Sequence, residues 1–227
     1  YTVDGFTKLC EALKGSAMAS LNLEGNQLGP EGAAAIAEGL KGNTTLQSLN
    51  LQENRLCGLN SLGRGTYTTE GITKLCEGLK GSAVTSLELG YNDLGAGGAA
   101  ALAEGLKGNS TLRVLDLSKN QLCGVDFRGD GTYTTEGINK LCEVLKGSAV
   151  TSLNLGGNAL CGVNEYGGGT YTTEGILKLC EGLKGSAVTS LNLCWNNIGP
   201  EGASALAAVL KETQITNLNI GCNKIGD

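Results

Sequence analysis

The stretch Leu46-Gln47-Ser48-Leu49-Asn50-Leu51-Gln52-Glu53-Asn54-Arg55-Leu56 decides how this chain folds. Leu49 and Leu51 alternate with polar residues, so both point to one side of a short strand, and the run closes on an asparagine. The same spacing returns on Leu21/Leu23, Leu87/Leu89, Leu115/Leu117, Leu153/Leu155, Leu191/Leu193 and Leu218/Ile220, closing on Asn26, Asn92, Asn120, Asn158, Asn196 and Asn223. Successive asparagine numbers differ by 28, 38, 28, 38, 38 and 27. Two module lengths interleave, and repetition at such periods means stacked units.

The short module continues from Gly29 to Gly42 with Ala33, Ile36, Ala37 and Leu40 at helical spacing. Pro30 suits the first turn, Glu31 and Lys41 complement the helix dipole, and Gly42 can take the left-handed C-terminal cap. The long module keeps this helix as Ile72, Leu75, Cys76 and Leu79 but inserts about ten residues after the strand, a plausible loop length. Each insert ends Gly-x-Gly-Thr-Tyr-Thr-Thr-Glu-Gly. Thr68 is the expected N-cap, with Tyr67 stapled onto Ile72, and Tyr133/Ile138 and Tyr171/Ile176 repeat the arrangement. Glu70/Lys74, Glu136/Lys140 and Glu174/Lys178 are spaced as ion pairs on a solvated helix face. Residues 66–89, 132–155 and 170–193 differ only at the aligned positions 73/139/177, 78/144/182 and 88/154/192, the mark of recent tandem duplication or of design.

Neither a short strand nor a helix of about ten residues is stable alone, so stacking must supply the stability. Helices are wider than the ~4.8 Å strand spacing, which puts strands on the concave face and helices on the convex one. The recurring asparagine is placed to satisfy backbone groups of adjacent turns.

The consensus Leu-x-x-Leu-x-Leu-x-x-Asn-x-Leu-Gly followed by Gly-Ala-x-Ala-Leu-Ala-Glu-Gly-Leu, as at 46–56 and 98–106, resembles the ribonuclease-inhibitor-like class of leucine-rich repeats (LRR) over essentially the whole chain. The class includes arrays in nucleotide-sensing innate-immune receptors and in the activating protein of the Ran GTPase. The resemblance implies an α/β fold, a right-handed leucine-rich-repeat solenoid or horseshoe, and a role in contacting proteins. Residues 1–227 are read as a single domain of alternating 28- and 38-residue repeats. Tyr1-Thr2-Val3-Asp4-Gly5 aligns with Tyr67-Thr68-Thr69-Glu70-Gly71, inside an insert, and the chain stops at Asp227 just after a strand. A piece of a longer array, or an assembly whose partners cover both ends, is therefore expected.

Acidic residues number 22 against 17 basic ones, a net charge of −5, so no broad basic field is available for nucleic acid or anionic membrane. No apolar run approaches the roughly 20 residues of a membrane span, and a cytoplasmic location is expected. Nine cysteines are an odd number. Cys10, Cys76, Cys142 and Cys180 recur in Lys-Leu-Cys-Glu, and Cys57, Cys123 and Cys161 in Leu-Cys-Gly, as buried packing thiols would rather than bridges or metal ligands.

The chain has no histidine, and no Ser or Cys sits beside a base in a reproducible motif, so catalysis and cofactors are not expected. Gly63-Arg64-Gly65-Thr66, Gly129-Asp130-Gly131-Thr132 and Gly167-Gly168-Gly169-Thr170 lack the Gly-Lys-Ser/Thr of a nucleotide loop. Asp126, Asp130, Asn164 and Glu165 do not have calcium-loop spacing. Neighbouring inserts are expected to stack beside the strands.

Function should lie where the repeated frame varies. The pairs after the second leucine are Glu24-Gly25, Gln52-Glu53, Gly90-Tyr91, Ser118-Lys119, Gly156-Gly157, Cys194-Trp195 and Gly221-Cys222. Tyr91 and Trp195 are aromatics of the kind that anchor interfaces, among acidic Glu53, Glu88 and Asp116 and beside Lys119. These six form the expected partner-binding set: an acidic concave face, aided by the Gly-rich inserts, for a protein with a basic patch. The competing reading is that Tyr91 and Trp195 merely cover neighbouring rungs. A structural subunit of a large assembly and a GTPase-activating regulator, for which Arg64 and Arg128 qualify only by location, are the alternative functions.

Overall fold

The computed structural model describes residues 4–59, 63–126 and 128–226. Tyr1-Thr2-Val3 and Asp227, on which the reading of the chain ends rests, lie outside them. Helices and strands alternate as α1 (Asp4–Leu13), β1 (Ser20–Asn22), α2 (Gly29–Leu40), β2 (Ser48–Asn50), α3 (Glu70–Leu79), β3 (Ser86–Glu88) and α4 (Gly95–Leu106). They continue as β4 (Val114–Asp116), α5 (Glu136–Leu145), β5 (Ser152–Asn154), α6 (Glu174–Leu183), β6 (Ser190–Asn192), α7 (Gly199–Leu210) and β7 (Asn217–Asn219). The strands form one parallel sheet in sequence order, not closed on itself. Leu21, Leu49, Leu87, Leu115, Leu153, Leu191 and Leu218 stand side by side across it. This open array of alternating strands and helices is consistent with the α/β leucine-rich-repeat solenoid that the resemblance implies. Among the described residues no helix is long and apolar enough to cross a membrane.

The leucine pairs meet the helix stripes in one continuous core: Leu49, Leu51, Leu87 and Leu89 are fully buried against Ile36, Leu40, Ile72 and Leu75. Cys10, Cys57, Cys76, Cys123, Cys142, Cys161 and Cys180 lie inside as free thiols, in the packing role expected of them. Only Cys194 and Cys222 are less than buried.

The strand-end asparagines form a side-chain ladder along the molecule. Asn120 Oδ1 accepts the Asn92 N–H at 2.9 Å, while its amide donates to the Leu89 carbonyl of the preceding unit at 2.8 Å. Asn54, Asn92, Asn158, Asn196 and Asn223 repeat both contacts. A carboxylate could accept but not donate, and a hydrophobe could do neither, so the slot demands an amide.

Two local expectations are corrected. Thr68 does not cap as the residue adjoining the helix. Thr69 stands at the boundary, and the Thr68 hydroxyl accepts the Glu70 N–H at 3.1 Å. The Tyr67 hydroxyl reaches the next unit, donating to the Leu94 carbonyl and accepting the Gly98 N–H at 2.7 Å, a clasp that the spacing within one unit did not announce. Tyr133 likewise clasps Leu160 and Gly175, at 2.9 and 2.8 Å, and Tyr171 donates to Ile198 at 2.8 Å. A Cβ at Gly175 would lie 2.2 Å from the Leu160 carbonyl oxygen and 2.8 Å from the Tyr133 hydroxyl, so the clasp requires glycine there. The expected helix ion pairs also shift partner: Lys74 meets Glu77 and Lys140 meets Glu143, three residues onward. These exposed contacts contribute little stability.

Candidate functional site

Just past each strand the chain enters a conformation unusual for side-chain-bearing residues. Glu53, Tyr91, Lys119, Trp195 and Cys222 occupy one row with φ of +55°, +55°, +53°, +60° and +56°, in the left-handed region that favours glycine. Gly25 and Gly157 fill the same slot in two other units, at +73° and +65°. A non-glycine residue there costs about 1 kcal/mol. The conformation is held by hydrogen bonds to the next unit: the N–H groups of Glu53, Tyr91 and Lys119 donate to Gly90, Ser118 and Gly156 at 3.0, 3.0 and 2.8 Å. Two residues onward, Gln27, Arg55, Asp93, Gln121, Ala159, Asn197 and Lys224 form a second left-handed row.

The strand residues between the leucines support this turn. Asn22, Asn50, Asp116, Asn154, Asn192 and Asn219 each accept with Oδ1 the N–H two residues on. The uniformity of this row is the chemistry of the Asx turn. Asp116 is committed further, accepting from the Ser118 hydroxyl and the Asn154 amide, each at 2.6 Å. Glu88 accepts from the Gln52 amide at 2.8 Å.

Alongside the two left-handed rows runs a groove of about 450 Å³ that spans five units, from Gly25 to Tyr166. Of the six expected partner-binding residues it brings together Glu53, Tyr91 and Lys119. Glu88 and Asp116 lie on the strands outside its lining, tied as described. Trp195 stands on the Tyr91 row three units further on, a separation on the order of 14 Å at the ordinary strand spacing. Both aromatics are 44% exposed. Sequence reasoning missed Arg55, Asp93, Gln121 and Tyr166, which also line it. The first three fall on the second left-handed row, for which no residue preference announced a shared surface.

One end of the groove is walled by inserts. The second and third inserts stack: the Asn164 amide donates to the Asp126 carbonyl at 2.9 Å, and a Cβ on Gly129 would approach Gly168 Cα to 2.5 Å. The expected glycine-lined stacking therefore holds for this pair. The following unit has no insert, and there Asn197 reaches the stack by donating to the Asn164 carbonyl at 2.6 Å. The β3 unit has none either, which leaves the sheet edge beside Tyr91 and Asp93 uncovered by a loop of its own.

The groove carries half-buried charge. Lys119 Nζ lies 2.9 Å from Glu165 Oε2 and 5.1 Å from the Tyr91 ring centroid. Burial works against its ammonium, yet the contacts with Tyr91 and Glu165 prevail and hold its pKa above the ordinary lysine value. Burial pushes the Asp93 carboxyl up, opposed by its 2.7 Å hydrogen bond from Gln121 and by the charge of Arg55. Behind the groove, burial pushes Cys57 and Cys161 up to about 12, so neither supplies a thiolate near neutral pH. The arrangement is suited to holding charged and aromatic groups rather than to nucleophilic chemistry.

Five stretches of the chain, residues 18–37, 42–56, 83–103, 108–122 and 187–207, match the family model of the Leucine Rich repeat. The chain is also similar to a solved structure described as Leiomodin-1 Actin-Binding Site 2 (ABS2), at 17% identity and a TM-score of 0.49. That match covers 67% of this chain and 78% of the other.

Proposed function

We propose that this array, of the ribonuclease-inhibitor-like class, is a non-catalytic protein-binding surface. Its partner docks along the first left-handed row, at Glu53, Tyr91 and Trp195 around Lys119, and against the stacked inserts. The observation that carries this reading is backbone strain at a slot where the fold needs no side chain. Gly25 and Gly157 occupy it without penalty, whereas Tyr91 and Trp195 hold it at φ +55° and +60° with their rings exposed. Strain retained where an unstrained residue would serve points to a use for the side chain. Exposed aromatics on a rigid frame are the side chains that dominate interface energetics. Glu53 at the row and Glu24, Glu88 and Asp116 close beside it favour a partner with a basic patch.

A pull-down from the source cell compares the intact array with the Tyr91→Ala/Trp195→Ala double variant and with Lys178→Ala on the helix side. Loss of a prominent partner from the double variant alone is expected. The same partner set in all three would reject the row as the binding site.

A further inference from the structure

Deep in the groove one cation is already in place, the protein's own Lys119. Lys119 reaches from the left-handed row to Glu165, 46 residues onward, with its ammonium beside the face of Tyr91. The pair is more enclosed than the helix-surface pairs: 30% and 20% of the two side chains are exposed, against 44% and 47% for Lys74 and Glu77. The lysine stem crosses Gly157, where a Cβ would lie 2.8 Å from Lys119 Cγ, so the neighbouring unit leaves room for it. Glu53, Asp93, Asp126 and Glu165 line this groove against only Arg55 and Lys119.

We propose that the Tyr91 ring and the Glu165 carboxylate form a subsite for an arginine or lysine side chain on an exposed segment of the partner, and that Lys119 occupies it as an internal stand-in until displaced. The proposal rests on the reading that the partner docks along this row. The recognition chemistry is an aromatic face and a carboxylate in a partly dry groove, a combination that favours a cation. A guanidinium suits it better than an ammonium, being planar, less strongly hydrated and able to meet the carboxylate with two N–H groups. Lys119 sits on a flexible stem and can swing into water. While bound internally it keeps most molecules in a closed form and weakens apparent affinity by the fraction left open. Removing the lysine should therefore strengthen binding, the opposite of what a direct contact would do.

The test titrates a fluorescein-labelled Gly-Arg-Gly-Arg-Gly peptide, and its citrulline counterpart, against the full chain at near-physiological salt, after urea midpoints establish that each variant is folded. Lys119→Met is expected to bind the arginine peptide roughly tenfold tighter. Glu165→Gln and Tyr91→Leu should weaken it, and the citrulline peptide should bind poorly throughout. Lys178→Met makes the same change in net charge on the helix side and should leave affinity unchanged, because screening removes such distant charge. The proposal is overturned if Lys119→Met binds no tighter, if citrulline gains as much, or if Lys178→Met has an equal effect. Loss of the cellular partner on Tyr91/Trp195 substitution, with no Lys119→Met effect on the peptide, would sink the subsite and leave the docking surface standing. The reverse pattern would sink the docking surface alone.

Discussion

Two rows of residues run side by side along the ends of the strands, one position apart in the chain, and they are used in opposite ways. The row at Asn26, Asn54, Asn92, Asn120, Asn158, Asn196 and Asn223 is one residue type throughout. From Asn54 to Asn196 its members are fully buried, and each joins two units. The row just before it, from Gly25 to Cys222, shares one strained backbone conformation yet carries Gly, Glu, Tyr, Lys, Gly, Trp and Cys. The difference teaches where freedom lies in a stacked fold: a group that must both donate and accept across a buried seam admits one solution, while a side chain aimed at solvent admits many. The second row can vary because the first does not.

Breaking the buried row should have the largest effect. Asn120→Ala strips an acceptor from the Asn92 N–H and a donor from the Leu89 carbonyl, both buried. A loss of about 2–3 kcal/mol in urea unfolding is expected, because the Asn92 and Leu94 N–H groups lose the Asn120 oxygen while the Leu89 carbonyl keeps the Asn92 amide at 3.0 Å; a loss under about 1 kcal/mol would mean that water or relaxation replaces the ladder. The clasp between units should matter less. Tyr133→Phe removes a hydroxyl that donates to Leu160 and accepts from Gly175, and should lower stability by about 1–2 kcal/mol. A value near zero would return that tyrosine to the apolar role its position suggested. Smallest of all, Trp195→Gly should leave the unfolding free energy within about 0.5 kcal/mol, since relief of the left-handed strain offsets the lost contacts. Partner binding should nevertheless fall. A large drop in stability would show that Trp195 covers the neighbouring rungs instead of meeting a partner.

The inserts offer a second contrast. The β4 and β5 units carry adjacent inserts that stack through Gly129, Gly168 and Asn164, whereas the β3 unit between insert-bearing neighbours has none. Alternation of 28 and 38 residues made that gap visible in the chain itself. That the gap would open onto a groove holding Arg55, Asp93 and Lys119 was not visible, because those residues come from different units and meet only through the stacking.

How far the residues spoke for themselves follows from the range of each interaction. The leucine pairs, the helix stripes, the strand-end asparagines and the packing cysteines are set by periodicity within one unit, and the chain repeats the unit often enough to read it. Tyr91, Trp195, Glu53 and Lys119 were legible as variation on that frame. The tyrosine clasp, the shift of Lys74 to Glu77 and the salt bridge from Lys119 to Glu165 were not, because each is a choice among partners at comparable reach. The amino-acid sequence by itself determined the repeating unit, its strand and helix, and which side of each is buried, since local spacing decides which faces can be apolar. Only the tertiary structure decided which side chains face one another across units, how the backbone turns left-handed after every strand, and that a lysine lies on a tyrosine and a glutamate in a shared groove. Those depend on the register with which one unit settles on the next, and no single unit contains that information.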